Sequence, residues 1–344
     1  MLRPQVEAAI PPARRASRAL RAVGLLAALF VLVAVVVLSL ALGSRPLTIG
    51  EAWSGLVDGA SESYTVVHDM RLPRTVLGLI VGIALGLAGA VAQALTRNPI
   101  ADPGLLGINA GASAAVVSSI TFFGVTSFTG YIWFAFAGAA VVSFLVYVVS
   151  GGRGATPVRL ALAGAAINAA LYSFVSATQL LDAASLNRMR FWTVGSLADA
   201  QMSTVKSVWP FIAVGTVLAL FLARGLNALA LGDESARALG ANPAVTRVVS
   251  MIAVTLLCGA ATAACGPIVF VGLMVPHMVR AVTGPDLRWL LPYCLILSPV
   301  MLLGADVIGR VVARPGEILV GIVTAVVGGP VFLYLLLRRK AAQA

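Results

Sequence analysis

Residues 74–95 read RTVLGLIVGIALGLAGAVAQAL, an apolar stretch with a single charged residue at its start. At about 20 apolar residues per crossing of the hydrocarbon core, the stretch is long enough to span a membrane. Glycines stand four residues apart at Gly78, Gly82 and Gly86, and Ala90 continues the spacing. Residues four apart share one face of a helix, and small residues there let another helix approach closely. The stretch therefore predicts a transmembrane helix in the middle of a helix bundle.

The rest of the chain repeats this apolar character. Of its 344 residues, 60% are apolar and 11% are charged. Soluble domains are nearer 45–50% apolar and about 25% charged, so the composition excludes an ordinary soluble enzyme. Ten apolar runs are interpreted as membrane spans, which predicts an all-α polytopic membrane protein. They lie at about 22–42, 74–95, 104–123, 130–150, 158–181, 205–223, 247–265, 268–282, 289–310 and 318–337.

The positive charges predict the orientation of the chain. With a cytoplasmic N-terminus, sixteen of the 24 lysines and arginines fall in cytoplasmic segments, as the positive-inside rule requires. Both termini are then cytoplasmic, residues 1–21 form a basic cytoplasmic segment, and residues 22–340 form one ten-span domain. The first run exceeds the apolar core of a signal peptide, so we expect it to be retained. The formal charge of +11 is thus mostly a topology signal, and no nucleic-acid partner is expected.

The sequence lacks the usual patterns for covalent chemistry. Neither Lys206 nor Lys340 stands in a glycine-rich phosphate-binding loop, so ATP hydrolysis is not expected in this chain. His68 and His277 form no paired metal motif. The three cysteines lie in apolar runs and are interpreted as small buried hydrophobic residues. We expect no catalytic residue, no metal site and no cofactor bound by the chain.

Polar residues within the spans leave two interpretations open. Gln93 and Asn168 could line a pathway for a solute, or they could hydrogen-bond between helices, because unsatisfied polar groups are costly in lipid. An ion-coupled transporter usually buries acidic residues in mid-span, whereas Asp306 and Glu317 fall near helix ends. These features indicate a protein that passes a solute and takes its energy from elsewhere.

A polar cytoplasmic segment could contact a partner. Residues 231–243 read LGDESARALGANP, in which Asp233 and Glu234 are placed to begin a short helix and Gly240 to end it. A helix of this kind could dock into a groove on a soluble protein.

Three arginines, Arg71, Arg74 and Arg310, lie at the predicted outer ends of spans. Arginine pairs with carboxylates in a fork-shaped geometry, so these residues could receive acidic groups of an external partner. The alternatives are anchoring at the membrane interface and, for Arg310, an ion pair with Asp306 one helical turn away.

Six motifs together resemble the FecCD family, whose members are permeases of bacterial ABC importers for iron-siderophore complexes, haem or cobalamin. The motifs cover nearly everything from residue 20 to 340. They are RLPR at 71–74, QALTRNPIADPGLLG at 93–107, ALGDESARALG at 230–240, GPIVFVGLMVPH at 266–277, GADVIGR at 304–310 and GIVTAVVGGPVF at 321–332.

The resemblance implies a type II ABC importer permease with ten spans. Such a permease pairs with a second permease subunit, identical or different, around a central pathway. Two ATP-binding subunits, which carry the ATP and Mg²⁺, and an extracytoplasmic substrate-binding protein complete the complex. The resemblance therefore implies a multi-pass protein of the bacterial inner membrane.

The resemblance also implies roles for particular residues. The coupling loop, residues 227–245, would contact the ATP-binding subunits, and Arg71, Arg74 and Arg310 would receive glutamates of the binding protein. A cytoplasmic gate would include Asn98, Pro99 and Ile100, with Thr156 and Pro157 before the fifth span as its second part. Within the coupling loop the matching residues are Leu231, Gly232, Asp233, Glu234, Ser235, Ala236, Arg237, Ala238, Leu239 and Gly240.

The expected function is that of a permease subunit that moves a ferric siderophore across the membrane with ATP hydrolysed by separate subunits. Cobalamin or haem is the alternative substrate. Alternatives of another class are an ion-coupled secondary transporter and a membrane receptor or scaffold.

Overall fold

The protein is built of α-helices, and the residues that its structure describes contain no β-strand. The structure is a computed structural model that describes residues 18–43, 46–125, 127–152 and 155–341. Most of the predicted basic segment 1–21 therefore lies outside the described residues. The helices are α1 (Arg18–Ala41), α2 (Ile49–Val57), α3 (Leu72–Leu95), α4 (Ile108–Phe123), α5 (Phe128–Val149), α6 (Pro157–Leu181), α7 (Ala183–Trp192), α8 (Met202–Phe221), α9 (Ala223–Ala230), α10 (Asp233–Ala238), α11 (Pro243–Cys265), α12 (Val271–Thr283), α13 (Leu287–Val312) and α14 (Val320–Ala341).

Each of the ten predicted spans coincides with a helix. In the part of the chain that the structure describes, seven helices are long and apolar enough to cross a membrane, namely α1, α3, α5, α6, α8, α11 and α13. The shorter apolar helices α4 and α12 and the apolar stretch Val320–Tyr334 of α14 account for the other three runs. The prediction of an all-α polytopic protein with about ten spans is confirmed.

Helix α3 is the centre of the bundle, as its glycine spacing predicts. Of the residues in its most apolar stretch, 78% are buried. Gly78 faces Leu303, Gly82 faces Pro299 and Gly86 faces Ser298, all on α13. A methyl group at Gly82 would stand 2.6 Å from the Cα atom of Pro299, so the two backbones can approach this closely only with glycine.

Helix α12 is too short to cross a membrane by itself. Its 13 residues extend about 20 Å, against a hydrocarbon core of about 30 Å. The non-helical residues 266–270 before it pack against the segment that follows α7, where the backbone amide of Ser196 donates to the Cys265 carbonyl at 2.8 Å. Protein contacts thus satisfy irregular backbone at membrane depth, as they must where water is absent.

Two of the long helices are mostly uncovered. In the most apolar stretch of α1 only 11% of the residues are buried, and in that of α6 only 17%. Such faces require either lipid or another protein subunit against them. Helix α6 is relevant to function because its first turn adjoins the predicted gate.

Candidate functional site

The predicted functional residues fall at opposite ends of α3. Arg71 and Arg74 lie at its beginning, and Arg97 follows its end and contacts the coupling loop. The 24 residues of α3 separate the two ends by about 36 Å. The predicted docking and coupling residues therefore lie on opposite sides of a bilayer-thick bundle, which is the arrangement that the predicted orientation requires.

At the first end, Arg74 joins two carboxylates that are distant in sequence. Its Nη2 atom lies 2.7 Å from Oδ1 of Asp306, its Nε atom lies 3.1 Å from Oδ2, and its Nη1 atom lies 2.8 Å from Oε2 of Glu317. Asp306 has no exposed surface. A buried carboxylate needs charged and hydrogen-bonded partners, and the fork of Arg74 supplies them.

Arg310 and Arg71 hold the last turn of α1. Arg310 donates to the carbonyl oxygens of Ser39 at 3.1 Å and Leu42 at 2.9 Å, and Arg71 donates to that of Ala41 at 2.7 Å. The last carbonyls of a helix have no partner within the helix and carry partial negative charge, so guanidinium groups are favourable there. The two side chains therefore fasten α1 to α3 and α13.

The ion pair considered for Arg310 from sequence is present, with Nη2 lying 3.0 Å from Oδ2 of Asp306. Arg71 and Arg310 are only 6% and 5% exposed. These two arginines, with Arg74, Asp306 and Glu317, are called the arginine cluster below. All members of the cluster except Asp306 line an open pocket of about 320 Å³, through which an acidic side chain could reach the guanidinium groups. Docking at these three arginines stays a prediction.

At the opposite end, the coupling loop contains the predicted short helix, α10. Asp233 and Glu234 lie in its first turn, and Gly240 ends the turn with φ +79° and an amide that donates to the Arg237 carbonyl at 2.9 Å. Ala236 is buried, whereas Leu231 and Leu239 are 67% and 65% exposed beside an open groove of about 520 Å³. Exposed leucines beside a groove suit contact with a protein partner.

Asp233 fixes this helix to two spans. Nη2 of Arg247 on α11 lies 2.8 Å from its carboxylate, and Nη2 of Arg97 lies 3.0 Å away. The hydrogen bond from Arg247 is the largest favourable influence, and together these contacts lower the pKa of Asp233. A third attachment joins α9 to α13, because Asn227 donates to Asp286 at 2.7 Å.

The backbone of Arg97 is unusual. Helix α3 ends in a Schellman motif, in which the Asn98 amide donates to the Gln93 carbonyl at 3.1 Å and the Arg97 amide to the Ala94 carbonyl at 3.3 Å. Arg97 occupies the left-handed position at φ +51°, where glycine is usual and where other residues pay about 1–2 kcal/mol. The side chain compensates by donating to the Leu229 carbonyl at 2.6 Å as well as to Asp233.

The structure brings the two parts of the predicted gate together. Asn98 turns the chain by accepting from the Ile100 amide at 3.1 Å, and Thr156 caps α6, whose first residue is Pro157. Both segments line a pocket of about 280 Å³. Asp102 in the same loop accepts from the Gly104 amide at 2.7 Å, and burial raises its pKa. Residues 98–102 are called the gate loop below, and their gating role stays a prediction.

Gln93 and Asn168 both hydrogen-bond between elements. The amide of Gln93 donates to the Leu273 carbonyl at 3.0 Å and accepts from Arg280 at 3.1 Å, while that of Asn168 donates to the Gly104 carbonyl at 3.0 Å. The side chain of Gln93 also lies near the Gly272 carbonyl. Pro276, four residues later in α12, cannot satisfy that carbonyl because proline has no backbone N–H. The geometry corresponds to the hydrogen-bonding alternative, and a pathway role for either residue stays a prediction.

Sequence reasoning missed Arg97 and Arg247 as members of the coupling site. Arg97 stands inside a quoted motif, but an arginine in the position of a helix-ending glycine gives no signal by itself. Arg247 falls in a predicted span, and its partner Asp233 is identifiable only once α10 and α11 are packed together.

Comparison with known proteins agrees with the motifs. A model of the FecCD transport family matches residues 31–338. The ferric enterobactin transport system permease protein FepD of Escherichia coli K12 is 46% identical over 329 residues, which cover 94% of this chain and 98% of FepD. The hemin transport system permease protein HmuU of Yersinia pestis is 37% identical over 323 residues, covering 92% of this chain and 96% of HmuU.

A solved structure of a metal-chelate type ABC transporter in an inward-facing conformation matches with a TM-score of 0.82 at 27% identity, covering 92% of this chain and 99% of that one. The fold, the motifs and the relatives therefore agree over almost the whole chain. The chain belongs to the FecCD transport family and is a multi-pass membrane permease of the ABC importer type, not an enzyme.

Proposed function

We propose that this permease carries a ferric siderophore across the membrane, with energy from ATP hydrolysed on separate subunits. The substrate is inferred from FepD, whose name specifies ferric enterobactin and which shares 46% of its residues over nearly its full length. Fold alone would not identify a substrate, because one architecture serves many ligands.

The observation that carries the transport role is the attachment of the coupling loop to three spans. Arg97 follows α3, Arg247 belongs to α11, and Asp286 caps the start of α13. A partner that pushes or pulls α10 thus acts on the central helix of the bundle and on two helices packed against it. The pathway would then alternate between outward-open and inward-open arrangements as rigid helices shift.

The partners follow from the importer architecture. An ATP-binding subunit and a substrate-binding protein are implied by family membership. We propose two ATP-binding subunits, which hold the ATP and Mg²⁺, on the coupling loops, and the binding protein over the arginine cluster. A second permease subunit, identical or different, would cover α6, in whose most apolar stretch only 17% of the residues are buried.

The same fold could serve cobalamin or haem, and HmuU is a hemin permease by name. Its lower identity to this chain, 37% against 46%, favours the siderophore. An ion-coupled mechanism would use Asp306 or Glu317 to bind the coupling ion. Both carboxylates instead contact arginines, Glu317 with Arg74 and Asp306 with Arg74 and Arg310, so they serve contacts within the protein.

Two experiments test the proposed function. The tagged chain is extracted from native membranes in mild detergent, and co-purifying proteins are identified by mass spectrometry. We expect an ATP-binding subunit, and a permease of different sequence would identify a heterodimer. Cells that lack the chain should lose uptake of radioactive iron from a ferric siderophore and keep uptake of haem and cobalamin. Recovery of the chain without an ATP-binding subunit, or loss of haem or cobalamin uptake instead, would contradict the proposal.

A further inference from the structure

We propose that Arg97 is the link through which movement of the coupling loop reaches the gate loop. The inference rests on the proposed function. It assigns a positioning role to a residue that would touch neither the transported substrate nor ATP. It concerns how α10 at the membrane surface is connected to residues 98–102, three of which line the pocket shared with the first turn of α6.

The first observation is the position of Arg97 between the two parts. Its backbone directly precedes Asn98, the first residue of the gate loop. Its side chain reaches the other way, with Nη2 lying 2.6 Å from the Leu229 carbonyl of α9 and 3.0 Å from Oδ1 of Asp233 in α10. Arg97 therefore hydrogen-bonds to both α9 and α10 and directly precedes the gate loop.

The second observation is the left-handed backbone of Arg97, at φ +51°. A residue other than glycine keeps such a conformation only where surrounding contacts impose it. Here the two backbone hydrogen bonds of the Schellman motif act together with the side-chain contacts to α9 and α10. Displacement of α10 would remove the side-chain contacts and pull on the Arg97 backbone, which would redirect the chain at Asn98.

The third observation is that Asp233 is shared by two arginines with different attachments. Arg247 lies 2.8 Å from the same carboxylate but belongs to the interior of α11, which begins at Pro243. Loss of Arg247 would loosen α10 without breaking the connection to the gate loop. Arg247 is therefore a matched control for Arg97.

The main variant is Arg97→Gly. Glycine is the preferred residue at a left-handed helix end, so the variant should fold and assemble while losing the side-chain link. Arg97→Lys keeps the charge, but its shorter side chain ends before the position of the Nη2 atom, which bonds to both Leu229 and Asp233. Arg247→Gln removes the other ion pair of Asp233. Each variant is prepared in the complete transporter with its ATP-binding subunits and binding protein, and assembly is checked by gel filtration.

Two readouts are measured in lipid vesicles. The first is substrate transported per ATP hydrolysed. The second is the rate at which a thiol reagent labels Ile100→Cys, with and without a trapped nucleotide. Ile100 is 43% exposed, whereas the three native cysteines are buried and should react slowly.

We expect Arg97→Gly to keep ATP hydrolysis but to transport at least about fivefold less substrate per ATP, the lower end of coupling between distinct sites. Labelling at position 100 should no longer respond to nucleotide. Arg97→Lys should lie between this variant and the wild type, and Arg247→Gln should retain the nucleotide response. Unchanged transport per ATP in Arg97→Gly, or equal losses in Arg97→Gly and Arg247→Gln, would overturn the role of Arg97. Absence of ATP-driven uptake in the wild-type complex would instead contradict the proposed function.

Discussion

Individual arginines stabilise helix contacts at the end of the bundle where α3 begins. Arg310 supplies hydrogen bonds to two carbonyls of α1 and a charge to Asp306, and it is itself 5% exposed. Arg71 makes a similar contact to the end of α1. Removal of either side chain would leave buried polar groups without partners, which is more costly than the loss of an exposed ion pair.

We predict that Arg310→Gln destabilises the folded protein by about 3 kcal/mol, because it breaks a buried ion pair and uncovers the α1 carbonyls. The measurement is thermal or denaturant unfolding in detergent. The control is Arg314→Gln, whose exposed side chain lies in the following loop and whose loss should change stability by no more than about 0.5 kcal/mol. Equal stability of the two variants would show that Arg310 is not a structural cap.

The attachment of α10 should depend on pH. The contacts with Arg247 and Arg97 lower the pKa of Asp233. Their contribution to the attachment of α10 is therefore complete above about pH 3.9, the pKa of an aspartate in an unfolded chain, and is lost as the pH falls through the lower pKa of Asp233 in the folded protein. A spin label at Leu239→Cys should therefore keep constant mobility from about pH 8 to 5 and become more mobile below about pH 4. Asp233→Asn should be mobile throughout. Glu234→Gln should behave as the wild type, and a mobile label there at neutral pH would argue against the assignment to Asp233.

The helices show which parts of the structure are encoded locally. All ten spans were predictable, because long apolar runs identify themselves and because glycines four residues apart in α3 identified its packed face. Helix α2 was not predicted, since its nine residues carry no span signal and depend on the capping box of Thr48 and Glu51. Within the arginine cluster, only the pair of Asp306 with Arg310 was predictable from sequence. The partners of the other two arginines were not, because Arg71 bonds to carbonyls about 30 residues away and Arg74 to carboxylates more than 230 residues away.

The contact between α3 and α13 gives a prediction about packing. A Cβ atom at Gly82 would lie 2.6 Å from the Pro299 backbone, which cannot yield, so Gly82→Ala should destabilise the bundle by about 1–3 kcal/mol. Gly304→Ala on α13 is the control, because an added Cβ there meets no atom within 4 Å. Unfolding in detergent should separate the two variants. A Gly82→Ala protein as stable as the Gly304→Ala protein would contradict the close helix contact.

The whole molecule joins two chemically different ends through one buried helix about 36 Å long. At one end, the arginines of the arginine cluster are bonded to carboxylates of the cluster and to helix carbonyls, and an open pocket lies beside them. The other end exposes apolar residues beside a groove and holds the gate loop and the coupling loop in contact. This polarity suits a permease that receives substrate at one face and energy at the other.

The most direct test of this account is transport by the complete complex in lipid vesicles. Radioactive iron is supplied as a ferric siderophore with the binding protein on one side, and ATP is supplied on the side of the coupling loop. We predict uptake that requires ATP and both partner proteins and that persists when an uncoupler dissipates the proton gradient. Uptake abolished by the uncoupler at constant ATP, or uptake of haem or cobalamin in place of the iron chelate, would contradict it.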